Sequence, residues 1–190
     1  MPKVSVITPI YNTPKDHLRE TIDSILNQTF TDFEYIILND SPDNTELDEI
    51  VASYTDSRIR YYRNKKNIGL EESTNKLLDL AKGEYVAVFD HDDISLPDRL
   101  KKEVEYLDYH PDVGLVSGQF TIFGIQNSTS NNPIKNEDIK KKLETESCVS
   151  HTTAMFRKSV LDKNNIRYEK EFFPAASYRI ITKTALVTKV

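Results

Sequence analysis

The chain has 190 residues, with 25 Lys and Arg against 30 Asp and Glu, a formal net charge of −5. One domain of that length buries enough surface to stand without staples, and 38% hydrophobic with 29% charged residues is the balance of an ordinary globular protein. The acidic total argues against a nucleic-acid-binding face, and the single cysteine, Cys148, excludes an internal disulfide and a cysteine-based zinc site. No apolar run reaches the roughly 20 residues of a bilayer span. The start of the chain has no charged signal-peptide region, so a cytoplasmic setting is expected, with peripheral membrane contact as its variant.

The N-terminal half alternates short apolar runs with helical periodicity. Val4 to Ile7 reads as a strand and Thr8 to Asn12 as the turn after it. Thr13 is placed to cap a helix with Pro14 at its first position, and Leu18, Ile22, Ile25 and Leu26 form its apolar stripe. Phe33 to Leu38 is a second strand, left through Asn39-Asp40-Ser41-Pro42. Leu47, Ile50, Val51 and Tyr54 mark a second helix, and Ile59 to Tyr62 a third strand. Leu70, Leu77, Leu78 and Ala81 stripe a third helix with Gly83 as its stop. Tyr85 to Phe89 is a fourth strand that runs into Asp90-His91-Asp92-Asp93. This alternation predicts an α/β fold, a mostly parallel sheet with helices on both faces. The turns after strands one, two and four then converge on one crevice, because ligands of such sheets sit beyond the carboxyl ends of the strands.

The second half is less regular. Leu100, Val104 and Leu107 mark a helix, Val113 to Phe123 one or two strands, and Gln126 to Asn136 a polar exposed loop. Ile139 and Leu143 mark a short helix, residues 151–156 a strand, and Lys158 to Asn164 a further helix. Ile180 to Val190 is apolar and ends without a cap, so the natural chain is expected to continue. No linker separates two domains: the expectation is a single domain over 1–190, with a nucleotide-sugar half at 1–95 and an acceptor-side half at 96–190.

Three carboxylates in four positions at the end of an apolar strand repel one another, and a cation relieves that repulsion best. Such hard oxygen ligands suit Mg²⁺ or Mn²⁺, bound through few protein carboxylates plus phosphate and water. The plainer alternative is a solvated turn in which Asp92 or Asp93 caps the next helix. Asp40 is placed to receive an N–H from a base or hydroxyls from a ribose, or else is an Asx-turn residue. Asn67 and Gly69 precede the third helix, and Asn75 lies within it near the buried stripe, a candidate for the cleft. With five glycines in all, neither a dinucleotide fingerprint nor a P-loop can be written. His17, His91, His110 and His151 share no zinc spacing; His17 and His110 are expected to face solvent. No Gly-x-Ser-x-Gly elbow is present for Ser-His-Asp hydrolysis.

Five motifs in order resemble the family 2 inverting glycosyltransferases: Val4 to Asn12, Ser24 to Phe30, Ile37 to Ser41, Asn67 to Leu70, and Ala81 to Tyr85 leading into Phe89 to Asp93. The resemblance implies a GT-A fold with a Rossmann-like sheet, a UDP-sugar donor, a Mn²⁺ or Mg²⁺ cofactor, and a saccharide, lipid-linked or protein acceptor. It implies that Thr8, Pro9, Tyr11 and Asn12 lie against the nucleotide and that Asp40 receives the uracil N–H. Asp90 would face ribose or metal and Asp92 would bind the metal. With Asn67, Asn75 and His91, these make the expected nucleotide-binding set. His151 to Leu161 resembles the acceptor-side segment. The family then carries an acidic pair opening a helix, its Asp the catalytic base; here Ala176-Ser177 stand at that place, and a serine hydroxyl is no general base near neutral pH. The two functional expectations are therefore an inverting, metal-dependent transferase and a nucleotide-sugar-binding homologue with little or no transfer. A nucleotidyltransferase is disfavoured, because the turn after strand one lacks the glycines such enzymes use.

Overall fold

The computed structural model describes residues 1–124 and 127–190. Gln126, the first residue of the expected polar loop, lies outside them. The first half forms β1 (Val4–Ile10), α1 (Lys15–Leu26), β2 (Phe33–Asn39), α2 (Glu46–Ala52), β3 (Ile59–Arg63), α3 (Leu70–Leu80) and β4 (Tyr85–Val88). The second half adds α4 (Arg99–Tyr109), β5 (Leu115–Ser117), β6 (Thr121–Ile122), β7 (Ser128–Thr129), α5 (Asn136–Lys142), β8 (Ala154–Arg157), α6 (Lys158–Lys163) and α7 (Ala176–Val187).

Every residue of β1, β2 and β4 is buried. Strands covered on both faces are continuous apolar runs, and that is why they read so clearly in the sequence. The six-stranded sheet has the order β3-β2-β1-β4-β8-β5. β1 to β4 are mutually parallel, with Ile7 opposite both Ile36 and Val88. β8 runs antiparallel between β4 and β5. One core lies on each face: Leu77, Leu78, Phe156 and Ile180 on one side, Leu18, Ile22, Leu100 and Leu107 on the other. The strand order turns back at β1, whose neighbours are β2 and β4, so the crevice of this doubly wound sheet opens between the ends of β1 and β4.

Several local expectations are corrected. Thr13 makes no cap: Pro14 is the N-cap residue of α1, and the buried Thr13 hydroxyl has no partner among the described residues. Neither Asp92 nor Asp93 caps the next helix, because α4 starts only after Asp98. Leu70 opens α3 at 55% exposure and is not part of its stripe. Gly83 is needed for close approach: a Cβ there would stand 2.5 Å from the Ser5 amide nitrogen. The expected polar loop contains β7, paired with β6. Residues 151–153 are a 3-10 turn ahead of β8. His17 and His110 are exposed, as expected.

Candidate active site

β1 leads into Tyr11 and Asn12. Asn12 has φ 48°, a left-handed conformation that asparagine tolerates, and its N–H donates to the Ser41 hydroxyl at 2.7 Å. That bond ties the loop after β1 to the loop after β2. Between them lies a cavity of about 520 Å³, bounded by Tyr11, Asn12, the loop from Ser41 to Glu46, and Asn67. Tyr11 is 52% exposed and lines this space. The turn after β2 is organised by Asn39, whose side-chain oxygen accepts the Ser41 N–H at 2.8 Å.

Two expected nucleotide contacts lie beneath the cavity and not in it. Thr8 and Pro9 are buried inside β1, and the Thr8 hydroxyl accepts from Tyr35 Oη at 3.2 Å. They carry the loop and do not line it. Asp40, the expected partner of the base, is buried as well. It is 3% exposed, and its carboxylate accepts from Asn64 Nδ2 at 2.8 Å, the Ile68 N–H at 3.0 Å and the Gly69 N–H at 2.9 Å. A carboxylate offers about four lone-pair positions, so Asp40 is nearly saturated by protein donors. Its work is to pin the Asn67-Ile68-Gly69 turn, in which Gly69 at φ 92° takes a conformation other residues resist. Asn75 is likewise committed: Nδ2 donates to the Tyr168 carbonyl and Oδ1 accepts the Tyr168 N–H, each at 2.9 Å. It fastens α3 to the segment before α7 and does not face the cleft.

On the other side of β1, the acidic turn leaves β4. Asp90 is fixed by its backbone N–H, which donates to Thr152 Oγ1 at 3.2 Å, while its carboxylate stands 3.7 Å from His151 Nδ1. His151 in turn meets the Tyr168 hydroxyl at 2.7 Å through Nε2. The Asp93 carbonyl accepts from Thr21 Oγ1 at 3.0 Å. Asp92 is exposed, and Asp90 and Asp93 are half-buried. Burial, then the charges of Asp90 and Asp92, push the Asp93 carboxyl above the usual range. Nδ1 of His91 is buried without a partner among the described residues.

This crowding fits a divalent cation. Among the described residues no three His, Cys, Asp or Glu side chains converge as a complete protein-built metal site. Mg²⁺ and Mn²⁺ do not require one, since few carboxylates plus donor phosphates and water suffice. Arg99, which the sequence did not single out, and Gln28, within the Ser24 to Phe30 motif, hold the strand end before the turn and the segment after it. Arg99 donates to the Val88 carbonyl at 3.1 Å, and buried Gln28 donates to the Leu96 carbonyl at 2.8 Å and accepts the Leu100 N–H at 3.0 Å.

Ala176 and Ser177 open α7. Ala176 is 4% exposed and packs into the core. Ser177 lines a second cavity, of about 300 Å³, together with His151. Glu169, a neighbouring carboxylate, is bound by Lys183 and Arg179, which hold it below the usual range and make it a weak proton acceptor. No helix among the described residues is long and apolar enough to cross a membrane.

An uncharacterized glycosyltransferase of Methanocaldococcus jannaschii is 35% identical over 184 residues, covering 93% of this chain and 62% of that protein. The poly(ribitol-phosphate) beta-N-acetylglucosaminyltransferase TarP of Staphylococcus aureus is 32% identical over 96% of this chain and 57% of its own length. The chain thus spans little more than half of these relatives. Among solved structures, S. aureus TarS 1-349 in complex with UDP superposes with a TM-score of 0.78 at 22% identity, over 97% of this chain and 55% of that one. The mannosyltransferase PcManGT from Pyrobaculum calidifontis, in complex with GDP-Man and Mn²⁺, gives 0.71 at 21% identity, over 99% of this chain and 53% of that one. The sequence model of glycosyl transferase family 2 matches residues 5–164, and with the GT-A-like sheet and the relatives above, the chain belongs to that family.

Proposed function

We propose that this chain is the catalytic region of an inverting glycosyltransferase that takes its sugar from a UDP-sugar. The observation that carries the reading is the 520 Å³ cavity between the ends of β1 and β2, with the acidic turn on the adjacent strand β4. A nucleoside entering there meets the Tyr11 ring and the Ser41–Glu46 loop, and Asn67 closes one side. Its diphosphate is directed along the end of β1 toward Asp90 and Asp92. These two carboxylates would hold Mn²⁺ or Mg²⁺, which supplies neutralisation of the charge that develops on the departing diphosphate. The UDP and UDP-GlcNAc complexes of S. aureus TarS support the choice of nucleotide, and the Mn²⁺ in the mannosyltransferase supports the metal.

The reaction is a single displacement. An acceptor hydroxyl forms the new bond at the anomeric carbon, the bond to UDP breaks on the opposite face with its electron pair, and the hydroxyl proton passes to a base. Residues 1–95 supply the donor side and 96–190 the acceptor side. Ser177 stands where the family resemblance implies an Asp, and its hydroxyl does not take up that proton near neutral pH. A second reading follows from this one residue: a chain that binds the nucleotide-sugar and transfers it slowly or not at all.

Calorimetry with UDP and GDP, each with and without Mn²⁺, tests the donor side. UDP is expected to bind more tightly with Mn²⁺ than without, and more tightly than GDP. Equal affinity for the two nucleotides removes uridine from the reading, and absence of binding by either overturns it. Product formation over a panel of UDP-sugars then separates the transferase from the binding homologue.

A further inference from the structure

We infer that the second cavity, at the start of α7, is a subsite for one neutral sugar ring and excludes sugars that carry a carboxylate or phosphate. The inference rests on the functional reading above and adds the chemical class of the group bound beside the acidic turn. The cavity measures about 300 Å³, at the small end of ligand pockets and enough for a single ring. Its polar wall is made of the hydroxyl-bearing Ser147, Ser150 and Ser177, the amide of Asn132 and the imidazole of His151, with the Phe120 ring as an apolar face. Polar groups beside an apolar lining, to which Val149 and Ile181 add, match a pyranose, which carries hydroxyls on its rim and C–H groups on its faces.

The exclusion follows from charge. Among the described residues, no Asp, Glu, Lys or Arg lines the cavity. A carboxylate or phosphate entering it would lose water and gain no counter-charge, which is costly for an ion. Lys142, whose charge acts on the cavity-lining Cys148, is paired with Glu146 at 3.7 Å. His151 Nδ1, on the cavity wall, stands 3.7 Å from the Asp90 carboxylate. His151 is held by the Tyr168 hydroxyl at 2.7 Å, so this wall keeps its position. The ring that occupies the site belongs either to the donor or to the acceptor terminus; both present the same neutral chemistry.

Saturation-transfer NMR with methyl β-glucoside and methyl β-glucuronide tests the inference without relying on nucleotide binding. The parent protein is expected to bind the glucoside about tenfold more tightly than the glucuronide, a difference a missing counter-charge readily supplies. Ser177→Arg and Asn132→Arg each place a cation in the wall and are expected to narrow or reverse that preference. A gain of glucuronide binding cannot arise from misfolding, and two variants on different elements guard against the failure of one. UDP affinity is expected to stay within about twofold of the parent in both variants, since the nucleotide cavity is separate. Displacement of the glucoside by UDP-glucose but not by UDP assigns the ring to the donor, and displacement by neither assigns it to the acceptor. Equal affinity for the two glycosides, or saturation transfer to neither, overturns the inference. Glucoside binding in a protein that does not bind UDP would instead overturn the functional reading and leave the sugar subsite standing.

Discussion

The two ends of the same parallel sheet treat their carboxylates in opposite ways. At the amino ends, Glu34 of β2 accepts from the Ser5 hydroxyl at 2.6 Å, from the Lys82 N–H at 2.7 Å and from the Arg60 guanidinium. Burial alone would raise its pKa, but these donors outweigh burial and hold it below the usual carboxylate range. Ser5 also accepts the Gly83 N–H at 2.8 Å, so one latch joins β1, β2, β3 and the entry to β4. At the carboxyl ends, Asp90, Asp92 and Asp93 crowd together; the Asp90 carboxylate stands 3.7 Å from His151 Nδ1, and Thr152 and Arg99 ease the Asp93 carboxyl without offsetting its burial and its acidic neighbours. A satisfied carboxylate serves the fold, and an under-compensated cluster is available for a ligand. The comparison teaches that burial of charge does not by itself mark a site; what marks it is the supply of donors.

The predictions follow that contrast. The largest change is expected at the carboxyl end from Ser177→Asp, which puts a base beside the second cavity; sugar transfer should rise by about 10²–10⁴-fold, read as product by mass spectrometry. Ala176 is best left alone, because it packs into the core. A parent as fast as the variant would show that the base lies elsewhere. Next, Asp92→Asn is expected to weaken Mn²⁺-dependent UDP binding by about 10–100-fold. Asp93→Asn should cost less, as that carboxyl is half-buried whereas Asp92 is exposed. Calorimetry orders the two.

At the amino end, Glu34→Gln is expected to lower stability by about 1–3 kcal/mol, since it leaves Arg60 without its charge partner. UDP affinity should not change. Urea unfolding paired with a UDP titration checks both halves of that statement, and a loss of affinity equal to the loss of stability would blur the proposed division between the two ends.

A smaller effect concerns Glu103 of α4, buried with Arg99 at 3.0 Å. Burial outweighs Arg99 and pushes this carboxyl from 4.5 to about 7. The folded state therefore holds the proton more tightly than the unfolded chain does. The stability this contributes is complete below about pH 4.5 and is lost as the pH rises to about 7, a change on the order of 1–3 kcal/mol. Glu103→Gln should flatten that slope in unfolding experiments at stepped pH. The smallest effect is expected from Lys15→Ala, which removes an exposed pair with Glu46 at 2.8 Å and should shift stability by less than about 1 kcal/mol.

Much of this was legible beforehand because the informative features are local. The runs Val4 to Ile7, Phe33 to Leu38 and Tyr85 to Phe89 are apolar on both faces, and only a covered parallel sheet makes use of that. The acidic turn after the fourth run was legible for a related reason: three carboxylates follow directly on a buried strand. The helix periods at Leu18-Ile22-Ile25 and Leu100-Val104-Leu107 likewise appear as buried faces.

What the chain order alone could not reveal is which polar side chains face inward. Asp40 and Asn75 are short polar residues at loop or helix positions, and nothing near them in sequence shows that their partners are the amides of Ile68 and Gly69 and the backbone of Tyr168, the last of these 93 positions away. Thr8 reads as the start of a turn until β2 brings Tyr35 beside it. Thr152 and His151 belong to the acidic turn only because β8 inserts next to β4. The sequence by itself determined the parallel α/β layers and the strand ends at which charge collects, since hydrophobic period and turn composition act over a few residues. Tertiary structure decided the antiparallel placement of β8, the inward commitment of Asp40, and the neutral cavity at Ser177, because each depends on donors and walls brought together from distant segments.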